Sequence, residues 1–267
     1  MQASIIMPTY NSSAYIETCI ENARAQGDVV SEHIIADGGS TDGTVEIVAR
    51  LKTKYPYLSL LPGPDKGQSD ALNKATAAAT APFIGILNCD DTYEPMAVSQ
   101  AIALMQTLPQ PAFVTGNCLF AVEGGDSTMT RPKDLRVESL LLGPDLVRFP
   151  ANPASYFYSK DIHDLVGGYD VDDHYAMDFD FIIKCALKTK LHYVDQHWGN
   201  FYLHAGCKTL DNNFDAAAQL AAIIARYQKD LTPEQLKNQA RIRILKTFKA
   251  AVRKTRDRLK RAAKTYN

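Results

Sequence analysis

The chain reads as an α/β protein on an open, mostly parallel sheet that ends in a basic helical extension. Three observations carry that reading. Short apolar runs alternate with segments of helical period through the first half of the chain. Four of those runs end in polar clusters, at Pro8-Thr9-Tyr10-Asn11, Asp37 to Gly43, Pro64-Asp65-Lys66-Gly67 and Asn88 to Asp91. From Glu234 onward twelve Lys or Arg face two acids, Glu234 and Asp257, so the tail carries +10 and the rest -11.

Taken in order, Ser4 to Met7 is a strand. Ser12 to Gln26 is a helix capped by Ser12 or Ser13, with Glu17 as a capping-box partner. Glu32 to Ala36 is the second strand. The turn Asp37 to Gly43 leads into a helix over Thr44 to Tyr55. Leu58 to Leu61, Phe83 to Leu87 and Ala112 to Thr115 complete the strands of this half. Helices at Gly67 to Ala79 and Glu94 to Gln106 separate them.

The second half is less regular. Asn117 to Val122 and Asp126 to Arg131 form a hairpin around Gly124-Gly125. Pro144 to Pro153 is loop. Met177 to Lys188 is a helix with Phe179, Ile182, Ile183 and Ala186 on one face, and Leu191 to Val194 and Asn200 to Leu203 are short strands. Phe214 to Gln228 is a helix. Thr232 caps the last helix, with Pro233 at its first position. These elements divide the chain into a catalytic-type domain over 1–230 and a basic amphipathic tail over 231–267.

Hydrophobic content of 46% and charged content of 22% are those of a soluble globular protein. The five cysteines are odd in number, scattered and free of any C-x-x-C pair, which argues against a disulfide framework or structural zinc and fits a reducing compartment. No apolar window is long enough for a transmembrane helix, and no signal peptide precedes the first strand.

The polar clusters hold the chemistry. In an open α/β sheet the carboxyl ends of the strands converge on one crevice where ligands bind. Asp90 and Asp91 stand together at such an end. Adjacent carboxylates repel unless a cation sits beside them, and hard oxygen ligands suit Mg²⁺ or Mn²⁺. The plainer alternative is that both acids cap the following helix. There is no G-x-G-x-x-G and no phosphate-binding G-x-x-x-x-G-K-[ST] loop, so a phosphate ligand depends on a metal.

Together, Ile6-Met7-Pro8-Thr9-Tyr10-Asn11, Ala36 to Thr44, Pro64 to Gly67 with Asp70 to Lys74, and Leu87 to Asp91 resemble family 2 glycosyltransferases, which have the GT-A fold. Gly167-Gly168-Tyr169-Asp170 followed by Ala176-Met177-Asp178-Phe179-Asp180 extends the match. The resemblance covers roughly residues 3 to 205 and is specific as an ordered set. It implies a GT-A nucleotide-sugar-binding fold and an inverting, metal-dependent transfer from a nucleotide-sugar donor, a UDP-sugar by preference. The acceptor would be a hydroxyl of a glycan or lipid-linked molecule in surface polysaccharide assembly.

Carried over residue by residue, Pro8, Thr9 and Tyr10 flank the base and Asp37 accepts from it. Asp65 and Asp70 line the sugar and nucleotide pocket. Asn88-Cys89-Asp90 fills the D-x-D position, with Asp90 the ligand of Mn²⁺ or Mg²⁺ and Asn88 in place of the first acid. Asp178 matches the catalytic base, and Asp180 competes with it. His204 would lie by the metal or diphosphate, or else be a surface residue. Asp91, Asn152 and Ser155 are weaker candidates for the acceptor or diphosphate. Trp198 either stacks on an acceptor sugar or belongs to the core.

Two alternatives stay open. A sugar nucleotidyltransferase also uses strand-end carboxylates and Mg²⁺, but the loop Pro8 to Ser13 lacks the glycine and basic residues that grip a triphosphate. A non-catalytic nucleotide-sugar-binding protein would need no base. In the tail, Leu245, Phe248, Val252 and Leu259 recur on one face among cations. Such a helix lies on an anionic membrane or packs on the body or a second copy. Nucleic acid is disfavoured because no aromatic residues are interleaved. The expected location is cytoplasmic, peripheral on the inner face of the cell membrane.

Overall fold

The computed structural model describes residues 1–173, 175–204, 207 and 216–265, the last with side chains over 217–249. The strand β1 (Ala3–Thr9) leads to α1 (Ile16–Arg24). Then follow β2 (Val30–Asp37), α2 (Thr44–Lys54), β3 (Leu58–Pro62), α3 (Gln68–Ala78), β4 (Phe83–Ile86), the two-residue β5 (Thr92–Tyr93) and α4 (Ala97–Met105). The second half holds β6 (Phe113–Val122), β7 (Thr128–Thr130), α5 (Val137–Leu140), β8 (Tyr156–Ser159), α6 (Asp161–Val166), α7 (Met177–Lys188), β9 (Leu191–Leu203), α8 (Ala216–Gln228) and α9 (Pro233–Thr265).

The sheet runs β3-β2-β1-β4-β8-β6-β9-β5, with β7 paired to β6. The first four strands are parallel, β8 runs antiparallel to β4 and β6, and β6 pairs β9 in parallel. Strand alternation sorts the core into two layers. Ile6, Ile34 and Ile84 point to the side covered by α3 and α7, and Ile5, Met7 and Ile35 to the side covered by α1, α2 and α4.

Most predicted elements are present within a few residues. Three differ. The helix expected from Ser12 begins at Ile16: the Ser12 carbonyl accepts from the N–H groups of Tyr15 and Ile16 in a turn that precedes it, while Ser12 and Ser13 donate their own N–H groups to Thr44 Oγ1 and Asp42. The strands expected at Ala112–Thr115 and Asn117–Val122 are one strand, as are those at Leu191–Val194 and Asn200–Leu203. The β6–β9 ladder carries a register irregularity near Asn117, which lets both strands pass a polar stretch without ending. The strand β8 and the short helices α5 and α6 were not expected; β8 is only four residues, Tyr-Phe-Tyr-Ser, with no period to mark it. The start of the helix expected from Phe214 lies outside the described residues.

At the end of α8 the chain turns into α9 through a reciprocal cap. Thr232 Oγ1 accepts from the N–H of Gln235 at 3.2 Å, and Gln235 Oε1 accepts from the N–H of Thr232 at 2.8 Å. All five cysteines are free and buried. Among the described residues no helix is long and apolar enough to cross a membrane.

Candidate active site

The registers Thr9↔Asp37 and Ile6↔Ile86 bring the loops after β1, β2 and β4 to one edge of the sheet. There a cavity of about 1030 Å³ opens, and Pro8, Thr9, Tyr10, Gly38, Asp65, Asn88, Asp90, Asn152, Asp178 and His204 are among the residues that line it. The strand-end clusters therefore converge as the sequence implies.

The loop after β1 is held by the loop after β2. Asn11 sits at φ 49° and its Oδ1 accepts from the N–H of Thr41 at 2.9 Å, while its own N–H donates to Ser40 Oγ. Asn tolerates this left-handed conformation better than most residues. Asp42 accepts from the hydroxyl and N–H of Thr44 and from the N–H of Ser13, contacts that hold its carboxyl well below the usual carboxylate range.

Asp37 does not line the cavity. Its carboxylate accepts from the N–H groups of Gly39 and Ser40 at 2.9 Å each and from Ser40 Oγ. It shapes the turn, and Gly38 and Asp65 form the wall beside it. Asp65 lines the cavity and accepts from the N–H of Gly67 at 2.8 Å. Asp70 stands behind that loop, accepting from Lys66 N–H at 2.9 Å and pairing with Lys74 at 2.8 Å, so it braces the wall without facing the cavity.

At the end of β4 the two adjacent acids part company. Asp90 turns to the cavity, with Oδ2 3.1 Å from Nε2 of His204. The His204 ring lies against Tyr15, centroids 5.1 Å apart. Asp91 turns inward and is almost fully buried. It accepts from Asn88 Nδ2 at 2.9 Å and from Asn152 Nδ2 at 2.8 Å. Burial, then the Asp90 charge, push its carboxyl up to about 7. Asp91 thus organises two wall residues, Asn88 and Asn152. Asn88 is committed on both sides, since its Oδ1 also accepts from Gln68 Nε2 at 3.1 Å.

Asp178 lies in the first turn of α7 and faces the cavity. The phenol of Tyr156, at the start of β8, donates to its Oδ1 at 2.7 Å, and Tyr169 Oη lies 3.1 Å from Tyr156 Oη. Tyr169 is locked by Asn73, which accepts from its N–H and donates to its carbonyl, both at 2.8 Å. Gly168, at φ 72°, permits this clamp, because a Cβ there would stand 2.7 Å from Asn73 Oδ1.

Asp180 points elsewhere. Two residues along a helix turn a side chain to the far side, and Asp180 is fully buried against Lys184 Nζ at 2.7 Å and the Tyr227 phenol at 2.8 Å. It ties α7 to α8. Asn152 lines the cavity, whereas Ser155 is buried and donates to Asn152 O at 2.9 Å. Of its two readings, Trp198 takes the core one: it is 1% exposed, packs edge-on against Phe157 and donates to Gln100 at 3.0 Å.

Besides Tyr10, part of the aromatic surface of the cavity comes from residues with no place in the sequence motifs. Phe120 and Phe201 are register partners on β6 and β9, rings 5.1 Å apart and edge-on, and Phe149 comes from the loop before β8. The signal for Phe201 was its place in the strand expected at Asn200 to Leu203, just before His204; nothing marks Phe149, which lies in an irregular loop.

The chain belongs to glycosyl transferase family 2, whose model matches residues 4–160. It has the GT-A fold. It is 38% identical over 95 residues to a chondroitin synthase of Pasteurella multocida, a stretch that covers 36% of this chain and 10% of that one, so the chain spans about a tenth of that relative's length. Among solved structures it is similar to S. aureus TarS 1-349 in complex with UDP-GlcNAc. The TM-score is 0.68 at 18% identity, covering 91% of this chain and 70% of that one. It is also similar to the mannosyltransferase PcManGT from Pyrobaculum calidifontis in complex with GDP-Man and Mn²⁺. There the TM-score is 0.59 at 19% identity, covering 97% and 80%.

Proposed function

We propose that this chain transfers a sugar, with inversion, from a UDP-sugar to a hydroxyl of a glycan or lipid-linked acceptor in surface polysaccharide assembly. The observation that carries the reading is one cavity lined both by Asp178 and by the Asp90–His204 pair. The stretch shared with a chondroitin synthase supports a glycan acceptor, and the UDP-GlcNAc bound by TarS supports the donor class.

Asp90 and His204 fit a divalent cation. A carboxylate oxygen and an imidazole nitrogen stand 3.1 Å apart on the cavity wall. Among the described residues there is no cluster of three or more ligating side chains, so the donor's diphosphate oxygens and water would complete the shell. Bound there, Mn²⁺ or Mg²⁺ would neutralise the departing diphosphate as a Lewis acid.

The chain's own residues do the rest. Pro8, Thr9, Tyr10 and Asp65 border the nucleotide, and Asn88 with Gln68 borders the sugar and ribose. Asp178 takes the proton of the acceptor hydroxyl as its oxygen bonds to the anomeric carbon, opposite the leaving diphosphate. The amino end of α7 favours the ionised carboxylate. The enzyme works in the cytoplasm at the inner face of the cell membrane.

Thermal shift with UDP- and GDP-sugars, with and without Mn²⁺, tests the reading. Stabilisation follows RT ln(1 + [L]/Kd), about 2.7 kcal/mol at a hundredfold excess over Kd. A UDP-sugar should stabilise most, and only with Mn²⁺ present. Equal melting with every nucleotide sugar would contradict the assignment.

A further inference from the structure

The helix α9 presents two different faces. Gln235, Asn238, Gln239, Ile242 and Lys246 are its half-buried or buried positions, spaced as one helical stripe, and Gln239 exchanges hydrogen bonds with Gln228 of α8. That stripe turns to the body, where Leu231 and the α5 helix lie. On the opposite face Leu236, Ile244, Leu245 and Phe248 are 42%, 68%, 60% and 68% exposed. Lys237, Arg241 and Lys249 stand beside them, all exposed.

A surface helix ordinarily turns its large apolar residues to the core. Here the inward stripe is polar apart from Ile242, and Ile244, Leu245 and Phe248 face outward. We infer that the outward face of α9 docks on an anionic bilayer, with Ile244, Leu245 and Phe248 entering the headgroup boundary and Lys237, Arg241 and Lys249 meeting lipid phosphates. The acidic body, at -11, would be repelled by such a surface, so attraction must come from the +10 tail. A second copy fits less well. Pairing two copies of this face would set like charges together. An interfacial helix needs only this combination of an apolar stripe and cations. The inference does not depend on the sugar-transfer reading.

The full chain should co-sediment with vesicles of phosphatidylcholine containing about one-third phosphatidylglycerol at low salt, and not with phosphatidylcholine alone. High salt should release it. The variant I244S/L245S/F248S should lose at least about tenfold in partitioning with an unchanged melting temperature, because these side chains do not pack on the body. K237Q/R241Q/K249Q should lose a similar factor. The inference is overturned if the wild type ignores the anionic vesicles, or if the serine variant binds as the wild type does. It is also overturned if sedimentation equilibrium shows a dimer that the serine substitutions dissolve.

Discussion

Replacing Tyr156 by Phe removes one oxygen from the site and little else. The ring is fully buried, and burial together with the Asp178 charge raises the phenol's pKa well above its usual value, so it stays protonated and donates. A hydrogen bond to a charged group contributes about 1.5–3 kcal/mol. It stabilises the carboxylate over the acid, so its loss should raise the ionisation pH of Asp178 by about 1–2 units. In the proposed reaction Asp178 must be ionised to act. The acid limb of the kcat/KM profile should therefore move up by that amount, with nucleotide-sugar affinity unchanged. Activity at a pH on the limb should fall about tenfold or more, and recover at higher pH. Carbon-13 NMR of the aspartate carboxyls, with D178N to assign the resonance, reads the same shift without turnover. The substitution leaves the Tyr169 phenol short of a partner, which should cost about 1 kcal/mol of stability. Y156F/Y169F should regain part of that and keep the shifted limb, while Y169F alone should leave the limb in place. An unmoved limb and an unmoved resonance in Y156F would refute the argument.

Other outcomes follow from the same structure. His33 is fully buried on β2 with neither ring nitrogen hydrogen-bonded among the described residues, and burial lowers its pKa to about 3. His33→Leu should stabilise the fold by about 1–3 kcal/mol at neutral pH in a denaturant titration. The folded pKa lies below the unfolded value of about 6.5, so the unfolded chain binds the proton first. Wild-type stability is lost as pH falls from there toward 3, and the advantage of the Leu variant should widen by about 1.4 kcal/mol per pH unit. Gly168→Ala should destabilise by at least about 1–2 kcal/mol, since it adds both a left-handed strain and a collision with Asn73; calorimetry checks this. Asp90→Asn should abolish the Mn²⁺-dependent part of donor-induced thermal stabilisation while leaving the unliganded melting temperature nearly unchanged.

The parallel half of the fold was legible because each strand is a compact apolar run bounded by a polar turn and a periodic helix. The joining of β6 and β9 into long strands was not, since their polar middles, Gly116-Asn117 and Asp195-Gln196-His197, look like turns until paired across the sheet. The convergence of the strand ends was legible too, and Pro8, Thr9, Tyr10, Asp65, Asn88, Asp90, Asn152, Asp178 and His204 do border one cavity. What the motifs did not separate was facing the cavity from bracing it. Asp37, Asp70 and Asp91 are spent on backbone, lysine and amide partners. Asp180 and Asp178 are two residues apart, yet only helix geometry, fixed by the packing of α7, decides which one faces the cavity. Tyr156 was invisible because its role depends on β8, a strand too short to read.

The central claim is that Asp178 acts in the transfer step and not in holding the donor. Its most direct test measures single-turnover transfer and nucleotide-sugar Kd for wild type and D178N with Mn²⁺. The account predicts a rate lower by about 10²–10⁴ with a Kd within about threefold of wild type. Transfer by D178N at the wild-type rate would contradict it.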